Sequence, residues 1–308
     1  MTTKEYRQIA WDDDSEDDCR QLVRLAVRED LGRLYDWTTV ALVPENASGR
    51  ALVAARRAGV VSGLPAARIV AEEYDPQIEF SPRVQDGDAV NRGQVLAELA
   101  GPARSLLTAE RPLLNVLGRL SGVATLTRDY VNAIAGTQAR IYDTRKTTPG
   151  WRRLEKLAVR AGGGSNHRLG LFDAVLIKDN HLALGATAEH GRYTPAQAVA
   201  KVREFLHSLA PDDAHAGMIV EVEVDTLEQL ALVLPAGPDI VLLDNFSPNE
   251  LRQAVALRNA DYPNVLLEAS GGIDLTTVAQ VAHCGVDRIS VGALTHSAAW
   301  FDVGLDWI

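Results

Sequence analysis

The stretch Asp239–Gly272, DIVLLDNFSPNELRQAVALRNADYPNVLLEASGG, has the pattern of a strand, a helix and a second strand. Its two apolar segments, 239–245 and 264–272, are rich in Val and Leu, as strands buried on both faces of a sheet usually are. Between them, SPNELRQAVALRNA has apolar residues at helical spacing. This order predicts a βα unit followed by the next strand of a parallel sheet.

The same unit recurs along the second half of the chain. Strands are predicted at 140–144, 174–180, 218–226, 239–245, 264–272 and 288–294. The last four begin about 21 to 25 residues apart, which is the spacing of βα units in a parallel sheet. Six or seven such units favour an α/β barrel, although periodicity alone leaves a doubly wound sheet as the alternative.

The first part of the chain has a different pattern. Short apolar runs broken by Gly and Pro predict strands and a short helix, and from Glu110 onward apolar residues recur at helical spacing. We therefore predict an N-terminal α/β domain over 1–112 and a catalytic barrel domain over 113–294. The C-terminal tail, 295–308, is expected to join the N-terminal domain.

An acidic run, DDDSEDD, lies near the N-terminus at Asp12–Asp18. Such a run is usually a solvated tail or the acidic start of a helix. We predict that Asp17 or Asp18 caps a helix that continues to about Asp30 and stops at Gly32.

The composition argues against several classes of protein. The 308 residues carry a formal charge of −10, which makes nucleic acid an improbable main partner but is compatible with small anionic ligands. No apolar run approaches the roughly 18 residues of a membrane helix, and no secretory signal is evident. Cys19 and Cys284 cannot make a disulfide framework, so the cytoplasm is the expected location.

Positive charge is concentrated in one segment of this acidic chain. From Arg140 to Lys178 there are nine Lys or Arg residues and three Asp or Glu residues, a local charge of +6 (9 − 3). The segment also holds three consecutive glycines and several apolar runs, which a solvated surface helix does not explain. It is therefore a candidate region for binding anions.

Functional groups follow the predicted strands, where the active site of a βα barrel lies. The cationic residues are Arg145, Lys146, His167, Arg168 and Lys178. The acidic and glycine-rich positions are Glu223, Asp244, Ser270–Gly272 and Gly292. A ligand with several carboxylates and a ligand with phosphates, bridged by a divalent metal, would satisfy both sets. For Lys178, a Schiff-base role as in an aldolase stays open at this point.

Two glutamates share one predicted strand. Glu221 and Glu223 alternate with valines, so their side chains point to the same side of the sheet. Neither a packed barrel interior nor a helix layer accommodates an unpaired carboxylate, and a cation or a metal is expected beside them. Asp225, Asn245 and Asp274 are interpreted as helix caps or loop residues.

Several motifs resemble those of the quinolinate phosphoribosyltransferase family, also called nicotinate-nucleotide pyrophosphorylase (carboxylating). They are DTRKTTPG (143–150), LEKLAVRAGGGSNHRLGLFDAVLIKDNH (154–181), VEVEV (220–224), LLDN (242–245), LEASGGI (267–273) and ISVGALTHSA (289–298). The resemblance implies an α/β sandwich domain and an open-faced, incomplete parallel α/β barrel. It also implies that quinolinate and phosphoribosyl pyrophosphate give nicotinate mononucleotide, pyrophosphate and CO₂, with Mg²⁺, in NAD synthesis.

The resemblance also assigns site residues by position. It implies contacts to the quinolinate carboxylates or the pyrophosphate from Arg145, Lys146, His167, Arg168 and Lys178, with Thr144 as a further substrate-binding position. It places Glu223 and Asp244 near the ribose hydroxyls and the Mg²⁺ ion. It implies that the 5′-phosphate is held by Ser270, Gly271, Gly272, Val291, Gly292 and Ala293. The implied catalytic residues are Lys146, Lys178, Glu223 and Asp244. Arg111 is expected to reach the neighbouring subunit's site in a homodimer or higher oligomer.

Other functions are compatible with parts of this pattern. A paralogue linked to molybdenum transport genes should differ around NHRLGL and LIKDNH, and this chain has the quinolinate form of both. A nicotinate-using phosphoribosyltransferase binds one carboxylate fewer and should need fewer cations. An aldolase using Lys178 would be trapped by borohydride, and a phosphoribosyl pyrophosphate sensor would bind this ligand without consuming it.

Overall fold

The computed structural model describes residues 5–185, 191–209 and 217–308, and contacts within the chain divide it into two compact units. Of the described residues, the parallel unit comprises Glu5–Gln8, Tyr130–Arg145 and those within Ser165–Gly292. The antiparallel unit comprises Ile9–Asp129, Lys146–Gly164 and Ala293–Ile308.

Strands and helices alternate over much of the described chain. The strands are β1 (Ser48–Ala55), β2 (Gly59–Val60), β3 (Glu79–Pro82), β4 (Ala89–Val90), β5 (Val95–Pro102), β6 (Arg140–Tyr142), β7 (Val175–Ile177), β8 (Val220–Val224), β9 (Ile240–Asp244), β10 (Leu266–Ser270), β11 (Arg288–Ser290) and β12 (Val303–Trp307). The helices are α1 (Asp13–Leu31), α2 (Trp37–Leu42), α3 (Leu64–Tyr74), α4 (Ala103–Ala133), α5 (Arg152–Ala161), α6 (Asp179–Leu184), α7 (Pro195–Ser208), α8 (Leu227–Val233), α9 (Pro248–Asp261), α10 (Val278–Ala282) and α11 (Ala293–His296). None of the helices in these ranges is long and apolar enough to cross a membrane.

The parallel unit contains a six-stranded parallel sheet with the order β6-β11-β10-β9-β8-β7. Each strand lies inside one of the six segments predicted from the sequence. The side chains of β8, β9 and β10 are almost all buried, as expected for strands covered on both faces. Within the described residues β6 and β7 are the two edges, so the predicted α/β class with an incomplete parallel barrel is confirmed.

The antiparallel unit contains a four-stranded antiparallel sheet with the order β12-β1-β5-β3, and a small sheet of β2 and β4. The C-terminal strand β12 pairs with β1, with Ala51 opposite Trp307. The predicted domain boundary after residue 112 stays a prediction. The helix predicted from Glu110 begins earlier, because α4 starts at Ala103 and continues through Pro112.

Helix α1 begins before the residues predicted to cap it. Its N-cap is Asp12, whose carboxylate accepts hydrogen bonds from the backbone N–H of Ser15 at 2.9 Å and from its hydroxyl at 2.6 Å. The predicted cap at Asp17 or Asp18 is therefore wrong, because the N–H groups that follow them are already bonded within the helix. The predicted stop is confirmed, since Gly32 has a φ of 59° and its N–H donates to the carbonyl of Arg28.

The acidic run at the start of α1 faces a cation on α5. Nitrogen atoms of the Arg153 guanidinium lie 3.6 Å from Asp12, 3.1 Å from Asp14 and 3.2 Å from Asp18. The interpretation as the acidic start of a helix is thus confirmed, and that of a solvated tail is not. The aspartates are partly exposed, and ion pairs of this kind contribute little to stability, about 0–1 kcal/mol each.

Candidate active site

The carboxyl ends of parallel strands meet along one edge of their sheet. Lys178 directly follows β7, Glu223 lies near the end of β8, and Asp244 ends β9. Ser270 ends β10 and is the partner of Asp244 in the parallel ladder. The strand order β7-β8-β9-β10 therefore brings these four predicted site residues to neighbouring positions on one edge.

Lys178 and Glu223 form an ion pair across the ends of β7 and β8. Burial raises the pKa of the Glu223 carboxyl, Lys178 lowers it, and the nearby carboxylates of Asp244 and Asp179 raise it further, so the net shift is upward. The Lys178 nitrogen is held against the Glu223 carboxylate, whereas a Schiff-base lysine must present its nitrogen to a carbonyl carbon. This geometry does not favour the aldolase alternative.

The loop after β10 is shaped by two glycines with positive φ. The φ angles of Gly271 and Gly272 are 97° and 59°, a region that side chains disfavour. A Cβ added at Gly271 would lie 2.1 Å from Oδ1 of Asn245. A cavity of about 240 Å³ opens beside Ser270 and both glycines. The loop therefore borders a small cavity, whose other walls include the apolar side chains of Leu243, Phe246 and Leu251.

Asn245 connects the ends of β9 and β10 by hydrogen bonds that the sequence did not predict. Its backbone has a φ of 57°, and its N–H donates to the carbonyl of Ser270 at 2.8 Å. Its Nδ2 donates to Oδ2 of Asp244 at 2.8 Å. Asn245, interpreted above as a helix cap or loop residue, thus orients the Asp244 carboxylate. No local pattern distinguishes it from an ordinary Asn at a strand end.

The segment after the three glycines is anchored to β6 by a buried carboxylate. Oδ1 of Asp143 accepts the backbone N–H of His167 at 2.9 Å, and Oδ2 accepts Nδ2 of Asn166 at 2.6 Å. The N–H of Ser165 donates to the carbonyl of Ile141 at 2.8 Å. These bonds fix the backbone that carries His167 and Arg168.

Arg168 is buried in the parallel unit and is held by its own segment. Its Nη1 donates to the carbonyl of Ala174 at 2.9 Å, and its backbone N–H donates to Nδ1 of His167 at 2.9 Å. Burial and the nearby Arg145 lower the pKa of Arg168. Two guanidinium groups that repel each other would be stabilised by an anion between them, which fits the predicted role of both residues.

His167 points its other nitrogen into a buried cluster of charged groups. Nε2 lies 3.0 Å from Glu221 and 3.5 Å from Glu268. The Tyr6 hydroxyl donates to Glu221, and Nε of Arg288 donates to Glu268 at 2.8 Å. The expectation that Glu221 would have a cation nearby is therefore confirmed, because the Arg288 guanidinium belongs to the same buried cluster.

Two sets of residues could hold a metal ion. His167, Glu221 and Glu268 could offer three ligand atoms within 4.8 Å of one another, but all three are buried, and the two carboxylates already accept hydrogen bonds from Tyr6 and Arg288. Mg²⁺ prefers oxygen ligands and keeps several waters. The carboxylates of Glu223 and Asp244, at the open edge of the sheet, fit that ion better.

The remaining predicted positions divide between the units. Val291 follows β11 in the parallel unit and its N–H donates to the carbonyl of Tyr142 at 2.9 Å. Arg111, Lys146 and Ala293 belong to the antiparallel unit. Arg111 is exposed on α4, and the alternative ion pair with Glu110 does not occur in the described structure.

Comparisons with known proteins match both halves of the chain to one family. The family model described as Quinolinate phosphoribosyl transferase, N-terminal domain, matches residues 36–121, and the corresponding C-terminal model matches residues 123–306. A nicotinate-nucleotide pyrophosphorylase [carboxylating] of Mycobacterium leprae is 44% identical over 292 residues, covering 94% of this chain and 97% of that protein. A mitochondrial quinolinate phosphoribosyltransferase [decarboxylating] of Nicotiana tabacum is 35% identical over 303 residues, covering 94% and 82%. The structure of nicotinate-nucleotide pyrophosphorylase from Francisella tularensis superposes with a TM-score of 0.85 at 36% identity over 100% of both chains.

Proposed function

The chain belongs to the quinolinate phosphoribosyltransferase family, and from that premise we propose which residues perform each part of the reaction. The enzyme transfers the phosphoribosyl group of phosphoribosyl pyrophosphate to quinolinate with decarboxylation. The products are nicotinate mononucleotide, pyrophosphate and CO₂, and the reaction is a step of NAD biosynthesis. The observation that carries the assignment of residues is the Lys178–Glu223 ion pair next to Asp244.

Quinolinate is a dicarboxylate, and its proposed partners are Arg145, Arg168 and Lys178. The mutual repulsion of Arg145 and Arg168 supports this role, because two carboxylates would neutralise it. Thr144, directly before Arg145, is proposed to contact the same substrate. For His167 the proposed role is narrower: its Nδ1 accepts the Arg168 N–H and so helps to place that arginine.

The 5′-phosphate of phosphoribosyl pyrophosphate is proposed to bind at the carboxyl ends of β10 and β11. Ser270, Gly271 and Gly272 would bind the 5′-phosphate through backbone N–H groups, which the positive φ angles and the adjacent cavity support. Val291 and Gly292, after β11, and Ala293 are proposed to complete this site.

Glu223 and Asp244 are proposed to hold Mg²⁺ and to face the ribose. Asn245 orients the Asp244 carboxylate. Burial and, to a smaller extent, repulsion from the Asp244 carboxylate raise the pKa of Glu223, and a bound cation would relieve that repulsion. Mg²⁺ bound there would neutralise charge on the leaving pyrophosphate. The donor set consists of oxygen atoms only, which suits this ion.

The chain's own residues act mainly by position and charge. Displacement at the anomeric carbon passes through an oxocarbenium-like state, which the carboxylates of Glu223 and Asp244 would stabilise. Lys178 and the arginines hold two anionic substrates together against their repulsion. Loss of CO₂ beside the new pyridinium nitrogen is eased by the positive charge on that nitrogen.

Two further residues are assigned from the antiparallel unit. Lys146 follows Arg145 directly, and we propose that it binds a substrate anion. Arg111 is proposed to act in the active site of a neighbouring subunit, so the active form would be a homodimer or a higher oligomer. Its exposure on α4 and lack of an ion pair with Glu110 in the described structure support this role. The cytoplasm is the proposed location.

The decisive experiment measures pyrophosphate and CO₂ release with phosphoribosyl pyrophosphate, Mg²⁺ and either quinolinate or nicotinate. We expect release with quinolinate only, with equal amounts of both products. Lys178→Ala should slow it by about 10²- to 10³-fold, whereas Lys201→Ala, which changes an exposed lysine on α7, should not. Release with nicotinate instead would contradict the proposed binding of two carboxylates.

A further inference from the structure

A buried threonine hydroxyl fixes the backbone of Lys146. Thr295 is fully buried, and its Oγ1 donates a hydrogen bond to the carbonyl of Lys146 at 2.7 Å. The two residues are 149 positions apart in the sequence, and both belong to the antiparallel unit. The hydroxyl therefore ties the segment that carries the Lys146 ammonium to the segment around α11.

A second anchor holds the same segment two residues further on. The Glu155 carboxylate, fully buried on α5, accepts the backbone N–H of Thr148 at 3.1 Å and its hydroxyl at 2.9 Å. The Arg119 guanidinium, on α4, donates to the same carboxylate from Nε at 3.1 Å and from Nη2 at 2.6 Å. Both oxygens of Glu155 are thus in use.

Arg119 joins the two anchors into one network. Besides Glu155, its guanidinium donates to the carbonyl of Thr295, and Nη1 donates to the carbonyl of Ala298 at 3.3 Å. One planar cation therefore connects 146–148 with 295–298. A guanidinium has several donors in a fixed fork, which a lysine cannot reproduce.

The network borders an open space. A cavity of about 750 Å³ in the antiparallel unit is lined by Lys146, Thr148, Arg119, Thr295, His296 and others. Its volume is in the range of small-molecule sites. The Arg119–Glu155–Thr295 network forms one side of this wall, and it holds the backbone of Lys146, whose side chain is exposed.

We propose that Arg119, Glu155 and Thr295 are positioning residues that hold the Lys146 backbone so that its ammonium meets a substrate anion. This inference rests on the proposed function, in which Lys146 binds such an anion. A lysine side chain has many rotamers, so the direction of its charge depends on how firmly its backbone is fixed. None of the three residues needs to touch substrate for this effect.

The test is a double-mutant cycle on kcat/KM for quinolinate and for phosphoribosyl pyrophosphate. Thr295→Val keeps the shape of the side chain and removes the hydroxyl, so we expect a loss of about 10- to 100-fold, the effect of a small misplacement. Thr295→Ser, which keeps the hydroxyl, should restore most of this loss. In the Lys146→Ala background, Thr295→Val should cause no further loss, because it acts through Lys146.

Several outcomes would overturn the inference. An equal loss from Thr295→Val with and without Lys146 would mean that the threonine acts on the fold alone. Wild-type kinetics for Thr295→Val would show that the bond does not matter. Wild-type kinetics for Lys146→Ala would instead refute the role of Lys146 in the proposed function, and the inference with it.

A second pair of variants tests the inference if Thr295→Val fails to fold. Arg119→Lys should lower kcat/KM when Lys146 is present and should cause no further loss in the Lys146→Ala background. The matched control is Arg258→Lys in the parallel unit, where another buried arginine donates to the carbonyl of Val265 at 2.6 Å and to Asp287 at 2.7 Å. Arg258→Lys should lower the melting temperature without a Lys146-dependent change in kcat/KM. Equal behaviour of the two variants in the cycle would refute the inference.

Discussion

The Nε2 atom of His167 lies 3.0 Å from Oε2 of Glu221, with both side chains buried in the parallel unit. In the neutral ring Nδ1 accepts the N–H of Arg168, and the ring proton is on Nε2, toward the carboxylates. Burial lowers the pKa of His167, but Glu221 and Glu268 outweigh burial and the opposing Arg288, so the net pKa is raised. The His167 ring therefore contacts Glu221 through Nε2 and the backbone of Arg168 through Nδ1.

The first prediction concerns the titration of His167. Its NMR titration midpoint should lie above 6.5, and Glu221→Gln should lower it because the main attraction is removed. A raised folded-state pKa means that the pair contributes stability that is fully present below the unfolded-state pKa and is lost as the pH rises through the folded-state pKa. Glu250→Gln, at the start of α9, is the control and should leave the midpoint unchanged. An unmoved midpoint in Glu221→Gln would contradict this electrostatic account.

Lys178 and Glu223 should be tested together. Lys178→Ala should lower kcat/KM by about 10²- to 10³-fold, the usual effect of removing one electrostatic contact to a transition state. The pKa of Glu223 is raised above 4.5, so activity that needs its carboxylate should fall, on acidification, at a higher pH than for an ordinary glutamate. A pH–rate profile of Glu223→Gln should lack this acidic limb. If Glu223→Gln shows the same fall in activity on acidification, the fall is due to the titration of another group.

The two glycines after β10 offer a matched comparison. A Cβ at Gly271 would meet Asn245 Oδ1 at 2.1 Å, whereas at Gly272 it meets nothing within 4 Å, although both have positive φ. Gly271→Ala should therefore raise the KM for phosphoribosyl pyrophosphate strongly. Gly272→Ala should show mainly the backbone cost, about 1–2 kcal/mol. Steady-state kinetics at saturating quinolinate would distinguish them, and equal effects would show that contact with Asn245 is unimportant.

Removal of metal should stop the reaction. Dialysis against a chelator should abolish turnover, and added Mg²⁺ should restore it without a change in the far-UV circular dichroism spectrum. Glu223→Gln and Asp244→Asn should each raise the Mg²⁺ concentration for half-activation by at least roughly tenfold. Full activity in excess chelator would refute the proposed metal site.

Mixing two inactive variants tests the role of Arg111. A dimer of one Arg111→Ala subunit and one Lys178→Ala subunit would have one intact site, so random exchange at equal amounts should restore roughly a quarter of wild-type activity. Each variant incubated alone is the control. If subunit exchange is demonstrated by mass spectrometry and no activity returns, the two residues do not act in trans.

Much of the fold was predictable because its signals are local. The strands of the parallel sheet are short Val/Leu/Ile runs, and each was found within its predicted segment. Because parallel strands end on one edge, the same pattern predicted that Lys178, Glu223, Asp244 and Ser270 would be neighbours. Motif resemblance then indicated the family that the comparisons support.

Other features had no local signal. The N-cap of α1 was predicted at the wrong residue because any aspartate in the run Asp12–Asp18 is a suitable N-cap. The structure has Asp12 there, with its carboxylate accepting the N–H of Ser15. Asn245 was interpreted as a cap or loop residue because its bonds to Asp244 and Ser270 depend on how two loops meet.

The sequence alone determined which segments become strands and helices, because those patterns depend on residues two to four positions apart. It also determined the chemical types at the strand ends. Only the tertiary structure decided which polar groups are paired: His167 with Glu221, Lys178 with Glu223, and the Lys146 carbonyl with the Thr295 hydroxyl. Such partners are 45 to 149 residues apart. Partner choice at that range depends on which elements the fold brings together, and where both groups are buried, as His167 and Glu221 are, an unpaired polar group would be costly.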